Sequence, residues 1–359
     1  MKKIPIYQPY IAKNQKRYVN QCLDDNWISS RGSFVSKFEN DLISYLGTKA
    51  LTTCSNGTVA LHLALLALDI GRGDEVIVPS FTYIASVNAI RYVGAKPIFV
   101  DVDKNNWNIS CDSIKNKISK KTKAVICVHI YGAPCNMNAL VDIVKDNNLF
   151  LIEDCAESFG TYYDNKHVGL YGDISTLSFF GNKTITTGEG GAVFSNNNYL
   201  IEKVSHLKNQ GLVADGGYSH DVIGYNYRMT NIQAAIGCAQ LEDINNILES
   251  KLKITKQYRD SLSEHVIFQE CNIEKSSNWI NTILLKDKDT TKRITENLKK
   301  NNIEFRPGFP LVHKMSCYQE YFNEIYPNSE LISSRTICLP SYPDLTTDEQ
   351  SFIISNILS

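Results

Sequence analysis

Six short runs in this chain are nearly continuous in apolar residues, and they recur at intervals separated by helix-like stretches: Glu75–Pro79, Pro97–Val102, Ala124–Ile130, Phe150–Asp154, Thr176–Phe180 and Gly191–Phe194. A strand that is apolar on both of its alternating faces must be covered on both, which is the condition of a parallel sheet packed between helices. The intervening segments Thr58–Leu68 and Met137–Asn147 supply such helices. The alternation predicts an α/β fold with a mostly parallel sheet. In such sheets ligands collect at the carboxyl ends of the strands, so the residues that close each run are where chemistry is sought.

The texture changes after Met229. Thr230–Leu262 reads as one helix with an apolar stripe of Ile232, Ala235, Ile236, Ala239, Ile244, Ile247 and Leu248. Beyond it, short mixed elements are punctuated by Pro307, Pro310, Pro327, Pro340 and Pro343. A length of 359 residues accommodates two domains, divided here into a large α/β domain over 1–240 and a smaller C-terminal α+β domain over 241–359.

Several function classes are disfavoured by composition. With a net charge of −1 and no run of one sign, the chain lacks the basic surface that nucleic acids or anionic membranes require. The apolar run from Val59 to Leu68 is interrupted by His62 and is too short to span a bilayer, and Met1–Pro9 has no signal-peptide core, so a soluble cytoplasmic protein is expected. Ten cysteines without a Cys-x-x-Cys pair read as buried free thiols, and none of the seven histidines pairs with another at metal-ligand spacing, so no metal is expected. His129, ending an apolar run, reads as a satisfied core imidazole. The Gly71–Gly73 and Gly188–Gly191 clusters fit neither the Rossmann nor the P-loop spacing, and no Gly-x-Ser-x-Gly elbow is present.

Chemistry concentrates in four places. Lys183 is the only charged side chain between Asp173 and Glu189, and it follows Leu177-Ser178-Phe179-Phe180. Poor solvation disfavours its ammonium form, and a neutral amine is the nucleophile for a Schiff base. Ser55-Asn56-Gly57-Thr58 opens an apolar helix and leaves N–H groups free for an anion. Glu153-Asp154-Cys155-Ala156-Glu157 closes a buried run with carboxylates; Asp154 suits a cationic ring nitrogen, whereas a solvated position accounts for Glu153. Pro79-Ser80-Phe81-Thr82-Tyr83 offers a ring to stack on a flat cofactor.

These motifs, in this order and followed by Gly224-Tyr225-Asn226-Tyr227-Arg228-Met229, resemble the DegT/DnrJ/EryC1 family of pyridoxal-phosphate-dependent nucleotide-sugar aminotransferases, with the nearest likeness to the enzymes that make GDP-perosamine. The likeness runs from about Ile4 to the C-terminus and is densest up to Gln240. It implies the aspartate-aminotransferase-like type I fold, whose large domain has a mostly parallel seven-stranded sheet, and a homodimer with shared sites. By the same resemblance Lys183 would hold pyridoxal 5′-phosphate as a Schiff base, Asp154 would pair with its ring nitrogen, and Tyr83 would stack on the ring. Gly57, Thr58 and Ser178 would bind the phosphate, with Asn226 entering from the partner subunit, and Glu157 would face the phenolic oxygen, where it can donate only if protonated.

The implied reaction carries nitrogen from L-glutamate to C4 of a nucleotide-linked 4-keto-6-deoxyhexose. Candidate substrate contacts are Trp27 and Ser29 in Asp25–Gly32, Asn182, Arg228, Arg306 and His313. Ser276–Asn281 and Arg306–His313 depart from the family's aromatic pattern, so a UDP- or dTDP-linked sugar, giving a viosamine-type product, stays open beside the GDP-linked one. A sugar 3-dehydratase of the same scaffold is a rival, although such relatives carry histidine in place of the lysine. A non-catalytic dimer is a further alternative.

Overall fold

The computed structural model describes residues 3–214 and 217–359. Its main sheet has seven strands: β1 (Ala50–Cys54), β2 (Glu75–Pro79), β3 (Lys96–Val100), β4 (Thr122–Val128), β5 (Phe150–Asp154), β8 (Ile174–Ser178) and β9 (Gly191–Ser195). A small hairpin, β6 (Tyr162–Tyr163) and β7 (Lys166–His167), lies outside it. The spatial order is β1-β9-β8-β5-β4-β2-β3. Every pairing is parallel except those of β9, which runs antiparallel to β1 and β8. The carboxyl ends of β1, β2, β4, β5 and β8 therefore open on one edge, and all four motif clusters sit there.

Apolar side chains alternate to both faces of this sheet, so the core is double. One layer, with Leu63, Val78, Phe99 and Ile126, packs under α3 (Gly57–Ala67) and α4 (Ala85–Tyr92). Part of the other, with Ile77, Val125, Cys127 and Leu151, packs under α6 (Met137–Asp146). Strand β1 was not among the six apolar runs. Its Thr52-Thr53 look polar in sequence, yet both are buried, and Glu39 satisfies them by accepting from the Thr53 N–H at 2.7 Å and the two hydroxyls at 3.2 and 2.9 Å.

The single helix expected over Thr230–Leu262 is two: α8 (Asn231–Glu242), opened by a Thr230/Gln233 capping box, and α9 (Ile244–Leu262). The break is at Asp243, whose carboxylate accepts from the Lys13 N–H at 3.1 Å and the Tyr10 hydroxyl at 3.3 Å. Aspartate competes with the helix for backbone geometry, and here the N-terminal segment recruits it. After α9, strands β10 (Ile267–Phe268), β11 (Asn281–Leu284), β12 (Arg306–Pro307) and β13 (Thr336–Leu339) form an antiparallel sheet in the order β10-β11-β13-β12. Ile283, Ile337, Tyr258 and Leu298 bury its face against α9 and the helix over Lys288–Lys300. No described helix is long and apolar enough to cross a membrane.

Candidate active site

The helix α3 begins where β1 ends. Asn56 caps it, accepting from the Val59 N–H at 3.0 Å, which leaves the Gly57 and Thr58 N–H groups open at the positive end of an eleven-residue helix. Ser178, the last residue of β8, lies against this turn: a Cβ on Gly57 would stand 2.7 Å from the Ser178 Cβ. Glycine lets the two strand ends close into one cradle of N–H and hydroxyl donors, suited to a phosphate.

Two carboxylates face the next strand ends. Asp154 is buried at the tip of β5; its Oδ2 accepts from the Ser86 hydroxyl at 2.7 Å and its Oδ1 from the Ala156 N–H at 3.0 Å. No cation pairs with it among the described residues. Glu157 is also buried, and its Oε2 accepts from the Tyr131 N–H at 2.7 Å. Tyr131 reaches this position with φ at 56°, a left-handed conformation that costs a non-glycine residue about 1 kcal/mol. Burial pushes the Glu157 carboxyl up to about 7, against the attraction of Lys183 and the Tyr131 N–H.

Lys183 lies in the turn after β8, with its Nζ 3.8 Å from Glu157 Oε1. Its Nζ has no hydrogen-bond acceptor among the described residues, and burial pushes the amine toward its neutral form, opposed by Glu157 and Asp154. The Nζ stands 4.1 Å above the centre of the Trp279 ring. The Trp279 indole N–H donates to the Asn182 carbonyl at 2.6 Å, and the Tyr7 hydroxyl donates to the Lys183 carbonyl at 2.7 Å. Tyr83, more than half exposed, closes the outer side, its ring 6.0 Å from that of Phe309. Phe309 stacks on Tyr131 at 5.3 Å and 10°.

Lys183, Asp154, Glu157, Ser178, Gly57, Thr58 and Tyr83 thus line the carboxyl edge of the sheet. Other sequence candidates are placed differently. Trp27 and Ser29 lie in an exposed turn held by Asn231, which donates its side-chain NH2 to the Trp27 carbonyl at 2.7 Å and its N–H to the Ser29 carbonyl at 2.8 Å. Asn182 adjoins the lysine, and its buried Oδ1 has no partner. Asn226 and Arg228 bond each other at 3.1 Å, and Arg228 also holds Asn209 at 2.8 Å; neither contacts Lys183 in its own chain. Arg306 is exposed on the edge strand β12, 3.6 Å from Glu304.

His313 departs from the sequence reading. It is fully buried, bonded through Nδ1 to the Ser80 hydroxyl and packed edge-on against Tyr326 at 4.8 Å, with its Nε2 unpartnered among the described residues, so it supports the end of β2 rather than an open surface. Glu153 departs as well: it is fully buried, accepting from the N–H groups of Gly169 (2.6 Å), Tyr171 (2.8 Å) and Gly172. His129 is also buried; its Nε2 is 3.1 Å from Glu153, and its Nδ1 accepts from the Cys135 N–H at 3.1 Å. With Cys155 these residues have the proximity of a metal centre, but the imidazole and carboxylate are already spent on one another and on backbone donors. Ser86, Tyr131, Trp279 and Phe309 went unassigned in the sequence. Ser86, three residues past Tyr83 in the first turn of α4, offered a positional signal; the other three approach through tertiary contacts alone.

The DegT/DnrJ/EryC1/StrS aminotransferase family matches residues 9–358. The chain belongs to this family. Among curated relatives of this aminotransferase, the GDP-perosamine synthase of Escherichia coli O157:H7 is 50% identical over 358 residues, covering 99% of this chain and 98% of the relative. The GDP-perosamine synthase of Vibrio cholerae is 46% identical, covering 96% of each. Among solved structures, Helicobacter pylori PseC, an aminotransferase involved in the biosynthesis of pseudoaminic acid, superposes with a TM-score of 0.93 at 26% identity, covering 99% of this chain and 98% of that one. The family's aminotransferases depend on pyridoxal 5′-phosphate, and the residues here fit that group. The fit rests on an open helix start facing Ser178 and, among the described residues, a buried carboxylate without a cation and a largely buried amine without an acceptor.

Proposed function

We propose that this aminotransferase moves an amino group from L-glutamate to C4 of GDP-4-keto-6-deoxymannose, giving GDP-perosamine, and works as a homodimer. The observation that carries the chemistry is the Lys183 amine, largely buried, free of hydrogen bonds among the described residues and 3.8 Å from Glu157. The sugar assignment is supported by the two GDP-perosamine synthases that match this chain over nearly their whole lengths.

Pyridoxal 5′-phosphate supplies an aldehyde and an electron-poor ring that takes up the electrons released when a proton leaves the carbon next to nitrogen. Gly57, Thr58 and Ser178 would bind its phosphate, and Asp154, oriented by Ser86, would hold a proton on its ring nitrogen. Glu157, near 7, keeps a proton available to donate to the phenolic oxygen. Lys183 would anchor the group through its ε-nitrogen and would take and return a proton at the substrate carbon. Tyr83 covers the outer face. Asn226 completes the phosphate site of the partner subunit.

The test sets GDP-, UDP- and dTDP-linked 4-keto-6-deoxyhexoses side by side with glutamate, reading the amino sugar by mass. Turnover of the UDP or dTDP sugar with none of the GDP sugar overturns the assignment. The shared site is tested by mixing Lys183→Ala with Asn226→Ala subunits: mixed dimers contain one intact site and regain activity that neither parent has.

A further inference from the structure

The geometry points to Trp279 as a positioning residue for Lys183: its indole is the platform that sets the ε-nitrogen on the Glu157 side of the site, and Lys251 acts through it by fixing its carbonyl. Trp279 precedes β11 in the C-terminal part of the chain and is buried. Three of its groups are engaged at once. The ring face lies 4.1 Å under the Lys183 Nζ, the indole N–H donates to the Asn182 carbonyl, and the Trp279 carbonyl accepts from the Lys251 Nζ at 2.9 Å. A cation over an indole face is attracted by the ring quadrupole, more strongly when water is excluded. Side chain and backbone of the Lys183 turn are thus tied to one plane of one residue.

Lys251 is the second half of the brace. It is fully buried on α9 and faces no carboxylate among the described residues; its Nζ donates to the carbonyls of Trp279 and Ser341, the latter at 3.0 Å. The same Nζ stands 5.3 Å from the Tyr7 ring, and Tyr7 donates its hydroxyl to the Lys183 carbonyl. Two routes, through Trp279 and through Tyr7, therefore join Lys251 to the side chain and to the backbone of Lys183. Neither route touches the phosphate cradle, and of the sugar candidates only Asn182 is met, through its backbone carbonyl, so the brace acts chiefly on where the amine points.

This inference rests on Lys183 being the reacting amine, and the test separates the two. The full-length protein is prepared with tryptophan replaced by its mono-, di- and trifluoro analogues, which keep the indole shape and drain its face of electrons. Of the three tryptophans in the chain, Trp279 alone contacts Lys183 among the described residues. In cofactor-stripped protein, the pH dependence of Lys183 modification by an amine-directed reagent is followed by peptide mapping. Glu157 and Asp154, the carboxylates that face the amine, are the same in every sample. A weakened face stabilises the ammonium less, so the modification midpoint moves to lower pH with each fluorine, by about half a unit or more across the series. Superimposable curves overturn the platform. For positioning, Trp279→Leu lowers kcat roughly tenfold or more with KM for the sugar little changed, and Trp279→Phe recovers most of it. Lys251→Met, which leaves the indole but frees its carbonyl, lowers kcat in the same way; wild-type kcat removes Lys251 from the proposal. Cofactor-loaded wild-type protein that leaves Lys183 fully open to the reagent refutes the reacting-amine reading, whatever the fluorine series shows.

Discussion

Replacing Glu157 with glutamine isolates the cost of burying a carboxyl in this site. Folded Glu157 titrates at about 7 against 4.5 for an ordinary glutamate, and burial is the largest cause. Below pH 4.5 both the folded and unfolded chains carry the proton, and the group contributes no pH dependence. Between there and 7 the unfolded chain ionises first, so folding weakens as pH rises; above 7 the penalty is complete. A gap of about 2.5 units corresponds to about 3 kcal/mol at full development. Glu157→Gln keeps an oxygen to accept from the Tyr131 N–H and removes the titration. Urea unfolding of the cofactor-stripped proteins at a series of pH values is the assay. The variant is expected to match wild type at low pH and to exceed it by about 3 kcal/mol near pH 8. Parallel stability curves would mean that Glu157 titrates normally, and would remove the basis for its donating to a phenolic oxygen at neutral pH.

Lys183→Ala is expected to fold and dimerise, because it deletes an amine that makes no hydrogen bond among the described residues, and to show no turnover; size-exclusion chromatography and the glutamate assay check both halves. Gly57→Ala places a methyl 2.7 Å from the Ser178 Cβ, which forces the cradle apart. It should weaken cofactor affinity about tenfold or more at a cost of about 1–3 kcal/mol in stability, read by fluorescence titration and thermal melting. Glu153→Gln and Asp154→Asn should separate: the first lowers stability by about 3–5 kcal/mol because it breaks a buried pair with His129, while the folded fraction keeps its kcat. The second leaves the melting point nearly in place and lowers kcat roughly a hundredfold.

Much of the architecture could be read before any coordinates, because covered strands announce themselves by apolar continuity. Five of the six apolar runs became parallel strands, with ends moved by up to two residues, and the sixth became the antiparallel β9. What escaped had a common cause. Strand β1 was hidden because its threonines are satisfied by Glu39, a residue from the preceding helix that no local pattern links to it. The break at Asp243 depends on Lys13 and Tyr10 from the N-terminal segment. Glu153 and Asp154, neighbours in sequence, point to opposite faces of β5, one into a ring of backbone donors and one into the site. Strand alternation says that they part; which one meets ligand is decided by the loops that close over each face.

Lys251 and the largely buried Lys183 show why burial alone does not make a catalytic amine. Desolvation disfavours the charged form of both, and it brings Lys251 down to about 7. Lys251 nonetheless spends two N–H groups on carbonyls at 2.9 and 3.0 Å, so its nitrogen is fixed and hemmed in whether or not it is charged. Lys183 is less deeply buried, its side chain 13% exposed, and has no hydrogen-bond acceptor among the described residues; its Nζ is held by the Trp279 ring below and a carboxylate at 3.8 Å, contacts that orient the nitrogen and leave it able to turn toward a ligand. A nucleophile needs its lone pair free and aimed. In this molecule the distinction comes from where hydrogen-bond acceptors are absent, a property that no composition or spacing displays.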